Sequence, residues 1–194
     1  RQINAVSGHL SASKGAFSYS AGKRIEQINR YLMLKDKANT IDDTRNYAFT
    51  KAYPSALINY KVSDNTNVKL AYSKRVARTT TFKMNPFPER EHAETLEQGD
   101  PDLRPEFIDL IELGINKKLS DENNFFASAY YRSTINVVNR VNTLYSNNIL
   151  NRIYSNVGNA KTFGVEFGTQ LELTDKSVAF IGGNIYHYDL NGSF

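Results

Sequence analysis

The chain of 194 residues contains no cysteine and no tryptophan, only 2 methionines, and 5 prolines, most of them crowded into one stretch. Without cysteine there is no disulfide framework, no thiolate nucleophile and no cysteine-based metal site. Such a composition suits a chain that passes through an oxidising compartment, where a stray thiol is a hazard. No run of about 18 apolar residues occurs, which excludes a membrane-spanning helix. It does not exclude a membrane barrel, whose strands alternate apolar and polar residues. Neither sign of charge dominates, with 24 Lys and Arg against 20 Asp and Glu and a formal net charge of +4. The basic residues are scattered: Lys69, Arg75 and Arg78 sit inside strand-like runs, while acids gather in loops. A nucleic-acid footprint needs a concentrated basic face with interleaved aromatics, so no nucleic-acid partner is expected. The chain starts at Arg1 with no signal-peptide pattern and reads as a fragment or a mature segment, from which targeting cannot be read.

What is abundant is aromatic and turn-forming: Tyr 12, Phe 11, and dense Asn, Ser and Thr. With 40% hydrophobic and 23% charged residues the chain is foldable, of one-domain size, and β-rich. The pattern predicts an all-β, antiparallel meander of about eight long strands, near 2–11, 16–34, 47–62, 67–80, 107–118, 125–138, 151–173 and 177–190. Period-two alternation is clearest in four runs. Val68, Leu70, Tyr72 and Val76 oppose Lys69, Ala71, Ser73 and Arg75; Ile111, Leu113 and Ile115 oppose Glu112, Gly114 and Asn116. Phe125, Ala127, Ala129 and Tyr131 oppose Ser128 and Arg132, and Val165, Phe167 and Leu171 oppose Glu166, Gly168 and Gln170. Each has one apolar and one wet face.

The connections alternate in length. SASKG at 11–15, SDNT at 63–66, SDENN at 120–124 and TDK at 174–176 are short turn formers. Between them lie longer connections at 35–46, 81–106 and 139–150. Every short turn therefore falls at one end of the sheet and every long loop at the other, the asymmetry of outer-membrane barrels. A soluble antiparallel meander with long hairpins remains open on these features alone.

The stretch MNPFPEREHAETLEQGDPDLRPEF, from Met84 to Phe107, interrupts the alternation. Pro101 and Pro105 deny backbone donors, so the segment is expected not to extend the sheet. Pro105 biases Arg104 toward extended geometry, Gly99 is expected to permit a tight turn, and Asn85–Pro86 reads as a turn above the fourth strand. LAYSKRVART (Leu70 to Thr79), MNPF (Met84 to Phe87), GDPDLRPE (Gly99 to Glu106) and IELG (Ile111 to Gly114) occur in this order. So do SAGKRIE (Ser20 to Glu26), YPSALINY (Tyr53 to Tyr60) and NVGNAKTFGVEF (Asn156 to Phe167). The series, from about Ser20 to Tyr188, resembles the C-terminal barrel portion of TonB-dependent outer-membrane receptors, in the outer-membrane β-barrel branch typical of Bacteroidota. Asp100 stands where Asn is commoner, and Thr79–Thr80 replace an expected Pro.

The resemblance implies that residues 1–194 are part of the wall of a large transmembrane barrel of 22 strands, with the plug domain and remaining strands absent. It implies import of a scarce, bulky nutrient such as an iron chelate, cobalamin or a glycan. Implied partners are outer-membrane lipid, the protein's own plug domain, the TonB complex acting through an absent N-terminal region, and a surface lipoprotein lid. Both chain ends are expected on the extracellular side. The aromatic series Tyr186, Tyr188, Leu190, Phe194 mimics a final barrel strand, but Asn191 and Gly192 interrupt it, and the natural chain is expected to continue. Alternatives left open are an outer-membrane barrel without energy coupling, as a pore or adhesin, and a soluble β-rich glycan-binding module.

No catalytic constellation is present. His9, His92 and His187 lack metal-ligand spacing, and the carboxylates Glu89, Glu91, Glu94, Glu97, Asp100 and Asp102 lie on one polar loop of the kind that is ordinarily solvated. An enzyme is not expected, nor a metal or cofactor. Ligand contact falls to loop and upper-strand residues able to stack on flat or sugar ligands or to pair with anions: Arg75, Arg78, Phe82, Phe87, Arg90, His92, Tyr145 and Arg152. Arg132 and Glu166 are expected to line the lumen and to pair with each other or with the plug, and Tyr72, Tyr131, Phe167 and Tyr186 to face lipid or stand in the aromatic girdle.

Overall fold

The computed structural model describes residues 1–35, 42–92, 94–146 and 149–192. Ten strands form one sheet: β1 (Gln2–Lys14), β2 (Phe17–Lys35), β3 (Asp42–Ser63), β4 (Thr66–Ala77), β5 (Glu89–His92), β6 (Thr95–Gln98), β7 (Glu106–Lys118), β8 (Asn124–Ser146), β9 (Ile149–Thr174) and β10 (Ser177–Asn191). The spatial order is β1-β2-β3-β4-β7-β8-β9, with β10 and β6-β5 both on the far edge of β9. The eight long strands are the predicted meander. The two short ones lie inside the Pro-rich stretch.

The short turns behave as read, Gly15 taking φ 59 in the β1–β2 turn. The long connections do not. Among the described residues only the one between β4 and β7 forms a loop. Residues 139–146 and 149–150, read as an Asn-rich loop, continue β8 and β9 to the tip of a hairpin paired through Leu144–Leu150. Residues 42–46 likewise belong to β3, paired with the upper end of β2. Asn is a poor strand former, and that preference misplaced the boundary; paired partners on both sides override it. Residues 36–41, residues 147–148 and Phe194 lie outside the described residues. Since β9 has 26 residues, it extends roughly 85 Å, far beyond the roughly 30 Å hydrocarbon core of a bilayer.

The two faces sort as the alternation requires. One face carries Leu70, Ile111, Leu113, Ile115, Val165 and Phe167, all exposed, together with Tyr131 in register with Phe163. The other carries Glu112, Ser128, Arg132, Thr162, Glu166 and Asn184. An exposed apolar face opposite a polar one is the wall of a lipid-embedded barrel. Tyr186 lies in register with Gly164, on the polar inner face, and not toward lipid as expected. The reason is steric. A Cβ on Gly164 would come within 2.5 Å of Tyr130 Oη and 2.8 Å of Tyr186 Cβ, so the bare backbone there lets both rings lie over the sheet. Gly168 does the same under Phe126 and Phe180, which stack at 6.3 Å. Arg132 and Glu166 share the inner face as expected, but no ion pair joins them: Arg132 stands over the Tyr130 ring at 6.0 Å.

Pro54 marks a break. The β3–β4 ladder runs from Ser63–Thr66 to Ser55–Ser73 and stops one residue short of Pro54, which has no N–H to offer a neighbour. Above it β3 stays paired only with β2, and β4 only with β7. The Pro-rich segment fills the upper end of the parted sheet.

The face assignment predicts that Leu113→Arg, placing a charge on the outer face, lowers stability by about 2–4 kcal/mol. Ser128→Arg, on the inner face, is expected to be tolerated. Heat-modifiable gel mobility of the full-length protein in outer membranes separates the two.

Candidate functional site

Residues 78–105 build a compact cap. A single 3-10 turn at Phe82–Met84 follows β4. Asn85 then accepts the Phe87 N–H on its side-chain oxygen (3.2 Å), the expected turn, and donates to Glu89 Oε1 (2.8 Å). The prolines flank the hairpin and do not enter it, so residues 89–98 are free to pair. β5 and β6 form a small hairpin, and β6 joins the sheet parallel to upper β9 through Thr95–Leu150 to Gln98–Ile153. The segment therefore does extend the sheet, contrary to expectation, and it covers the β9 edge above the point where β10 ends.

Side chains tie this junction. Arg152 reaches Glu91 Oε2 at 3.1 Å, Asn151 donates to Gln98 Oε1 (2.9 Å), and Gln98 donates to the Pro86 carbonyl (2.8 Å). Arg140 Nη2 lies 2.7 Å from the buried Glu97 Oε1, an ion contact whose geometry is off the hydrogen-bond axis.

Beyond β6 the chain passes back under the 3-10 turn. Gly99 donates to the Asn85 carbonyl (2.6 Å) and Asp100 to that of Lys83 (3.0 Å). A Cβ at Gly99 would meet Lys83 O at 2.5 Å, so glycine is required for close backbone approach. Leu103 then inserts completely, with 0% exposure, against Met84 and Tyr154, with Leu32 and Val138 at the margin. Arg30 closes the pocket from β2: its Nη1 donates to the Leu103 carbonyl (2.9 Å) and its Nη2 to that of Pro101 (3.4 Å), and its guanidinium lies 5.0 Å from the Tyr47 ring centre. The exit into β7 is clamped by Asn156, whose side chain exchanges two hydrogen bonds with the Arg104 backbone (2.8 and 3.1 Å) and donates to Asn136 O (2.8 Å). Asn136 adopts φ 60, which its short polar side chain tolerates, and donates to Pro105 O (3.3 Å).

Of the residues singled out from sequence, Phe82, Phe87, Arg90, His92 and Arg152 belong to this cap or its junction with β9. Phe82 packs edge-on against Tyr154 at 6.2 Å. Phe87 is half-buried, and Arg90 and His92 lie on exposed β5 opposite Leu96 and Thr95. Arg152 is engaged by Glu91. Arg78 pairs with the buried Glu26 of β2, which also takes Arg24 at 2.6 Å. Arg75 lies on β4 opposite Ile108, and Tyr145 stands exposed near the hairpin tip; neither joins the others. Arg30, Tyr154, Asn136 and Asn156 were missed. The one available signal was asparagine inside otherwise good strands, where it is unfavourable without a side-chain task. Among the described residues no group of His, Asp and Glu is placed to hold a metal ion.

A second concavity, of about 510 Å³, lies lower on the inner face, lined among others by Tyr130, Arg132, Thr162, Asn184, Tyr186 and Tyr188. Tyr130 Oη donates to Asn184 Oδ1 at 3.3 Å. Flat tyrosine faces beside a guanidinium and an amide can stack on and hydrogen-bond a polar surface laid against the wall.

Two tests follow. Leu103→Ala leaves a void under the cap and is expected to cost about 2–4 kcal/mol of cap docking, read as faster proteolysis within 85–105 while the strands stay resistant. Burial, and after it the hydrogen bond to Glu97, raises the Tyr154 pKa above the ordinary 10.0, against the smaller lowering by Arg140. A raised folded pKa means that Tyr154 supports the cap fully below the ordinary tyrosine pKa and loses that support as pH rises through the folded one. The ultraviolet difference titration of wild type against Tyr154→Phe should therefore show one tyrosine ionising late.

Comparison with known proteins agrees with the geometry. The outer membrane protein beta-barrel family matches residues 1–194. Among solved structures, "Copper transporter OprC" superposes with a TM-score of 0.71 at 14% identity, covering 97% of this chain and 29% of that one. The siderophore receptor PirA from Pseudomonas aeruginosa gives 0.66 at 12% identity, covering 98% of this chain and 43% of that one. The FrpB iron transporter from Neisseria meningitidis (F3-3 variant) gives 0.63 at 13%, covering 97% and 26%. The chain thus spans less than half the length of each of these. No curated protein matches it. An apolar outer face, a polar inner face, short turns at one end and tall hairpins at the other, together with the match along the whole chain, make this chain a member of the outer membrane protein beta-barrel family, located in the outer membrane.

Proposed function

We propose that the chain is part of the barrel wall of a TonB-dependent outer-membrane receptor that imports a scarce, bulky nutrient: an iron chelate, cobalamin or a glycan. The observation that carries this reading is the docked cap. Here a Pro-rich segment is packed, clamped and hydrogen-bonded on top of the strands, as a preorganised ligand-receiving surface requires. The backbone likeness to proteins titled copper transporter, iron transporter and siderophore receptor supports it. In this reading the inner-face concavity at Tyr130, Arg132, Tyr186 and Tyr188 faces the protein's own plug domain. The remaining partners are the TonB complex, reached through an N-terminal region, and a surface lipoprotein over the extracellular mouth. The barrel has no catalytic role. Arg90 and His92 on exposed β5, with Phe82 beside Tyr154, form the outermost ligand-contacting surface.

The test uses the full-length receptor in its own cell. A strain lacking it is compared with wild type for growth on limiting iron chelate, on cobalamin and on glycans, with and without a functional TonB complex. A growth defect on one nutrient class, reproduced by loss of TonB, is expected. Uptake that persists without TonB would contradict energy coupling and leave the pore or adhesin. Recovery of the full-length protein as a folded monomer in detergent-free buffer would favour the soluble module. His92→Ala and Arg90→Ala should weaken uptake of that nutrient several-fold without changing the amount of folded barrel.

A further inference from the structure

Where the sheet parts above Pro54, the side chains that fill the gap leave an excess of hydrogen-bond donors. An opening of about 750 Å³ there is lined by Arg1, Arg30, Arg78, Thr79, Thr80 and Thr81, with Tyr31, Leu32 and Met84 beside them and no acidic residue on its wall. Among the described residues no carboxylate lies within ion-pair distance of Arg30; Asp100 and Asp102 act on it from farther off. Its partners are carbonyl oxygens, a thioether sulfur and a threonine hydroxyl. Neutral acceptors and the Tyr47 ring face its guanidinium, so its half-buried charge has no carboxylate in contact, which is costly. The one carboxylate next to Arg78, Glu26, is shared with Arg24. Two buried donors close by have no acceptor at all: Arg78 Nε, and the hydroxyl of Tyr53, a residue only 8% exposed that lies near enough to Glu26 and Arg78 to feel both charges.

We infer that this cleft is a binding site for an oxyanion, a phosphate or carboxylate group carried by a solute or a lipid headgroup, held by Arg30 and Arg78 with Arg1 and the Thr79–Thr81 hydroxyls around it. A bound oxyanion supplies what the cleft lacks: negative charge against Arg30 and acceptor oxygens for the Arg78 guanidinium on its wall. Guanidinium forks match such oxygens in pairs, and threonine hydroxyls turn to donate to those that remain. The site lies where Arg30 also holds the cap, so occupation should tighten the Pro101–Leu103 backbone. It stands apart from the transport reading and would exist in a barrel of any purpose.

The experiment titrates the full-length protein, in a detergent with a sugar headgroup, with inorganic phosphate at constant ionic strength, followed calorimetrically. Saturable binding is expected. It should weaken at least tenfold in Glu26→Gln/Arg78→Gln, which removes both charges of the buried pair together, and about threefold in Arg1→Gln/Thr81→Val, whose side chains make no fold-holding contact. If the first variant does not fold, the second decides. Adding phosphatidic acid to the micelles identifies the source. Loss of phosphate binding on the wild type assigns a lipid headgroup, and undiminished phosphate binding assigns a free solute. Absence of saturable phosphate binding, or equal affinity in wild type and variants, overturns the site.

Discussion

A single missing backbone donor organises the upper half of this molecule. Pro54 has no N–H to give the neighbouring strand, and the β3–β4 ladder ends at Ser55–Ser73, immediately before it. Beyond that point the tall β2–β3 hairpin has lost one neighbour, and the groups that would have faced the ladder need other partners. Arg30 of β2 finds them in the Pro101 and Leu103 carbonyls, Glu26 in Arg78, and Phe49 in an edge-on contact with Phe107 at 5.8 Å. On the opposite flank, Tyr154, Asn156 and Arg140 of the β8–β9 hairpin take hold of the same Pro-rich segment. The cap is thus the element that both tall hairpins share.

The wall below needs no such device. Its strands are held by continuous antiparallel ladders, and its two faces differ only in what they meet, lipid or the polar interior. Glycines decide the relief of the inner surface: at Gly164 and Gly168 the absence of a Cβ lets Tyr130, Tyr186, Phe126 and Phe180 lie close to the backbone, so the wall there is smooth and aromatic. The result divides the labour. A regular lower wall anchors the protein in the outer membrane, and an irregular, side-chain-clamped upper part is available for recognition.

Much of this was legible in the sequence. Strand-forming runs between turn formers located the eight long strands, and period-two alternation assigned the faces at Leu70, Leu113, Ala127 and Val165, because alternation is imposed directly by the pleat. The short turns at Gly15 and 63–66 were equally plain. The upper ends were not. Asn139 and Asn142 read as loop formers because intrinsic preference is the only information one strand offers, whereas pairing across a hairpin is a property of two. The strands at 89–92 and 95–98 were hidden by prolines that flank them. Tyr186 was assigned to lipid as an aromatic on a strand; only its register opposite Gly164 reveals the inward side. The site candidates fared likewise: Phe82 and His92 fell in the expected loop and Arg152 at the upper end of an expected strand, whereas Arg30 and Asn156 act through partners more than fifty positions away.

Residues 85–92 and 94–105 are packed structure and not a solvated loop. Hydrogen–deuterium exchange on the full-length protein in detergent tests this most directly. Gly99, Asp100, Leu103 and Leu150 donate to the Asn85, Lys83, Asp100 and Glu94 carbonyls. Their amides should exchange as slowly as those of the neighbouring strands, and Arg30→Gln should release Leu103 first. Exchange of these amides at the rate of an unstructured peptide in the wild-type protein would contradict the account.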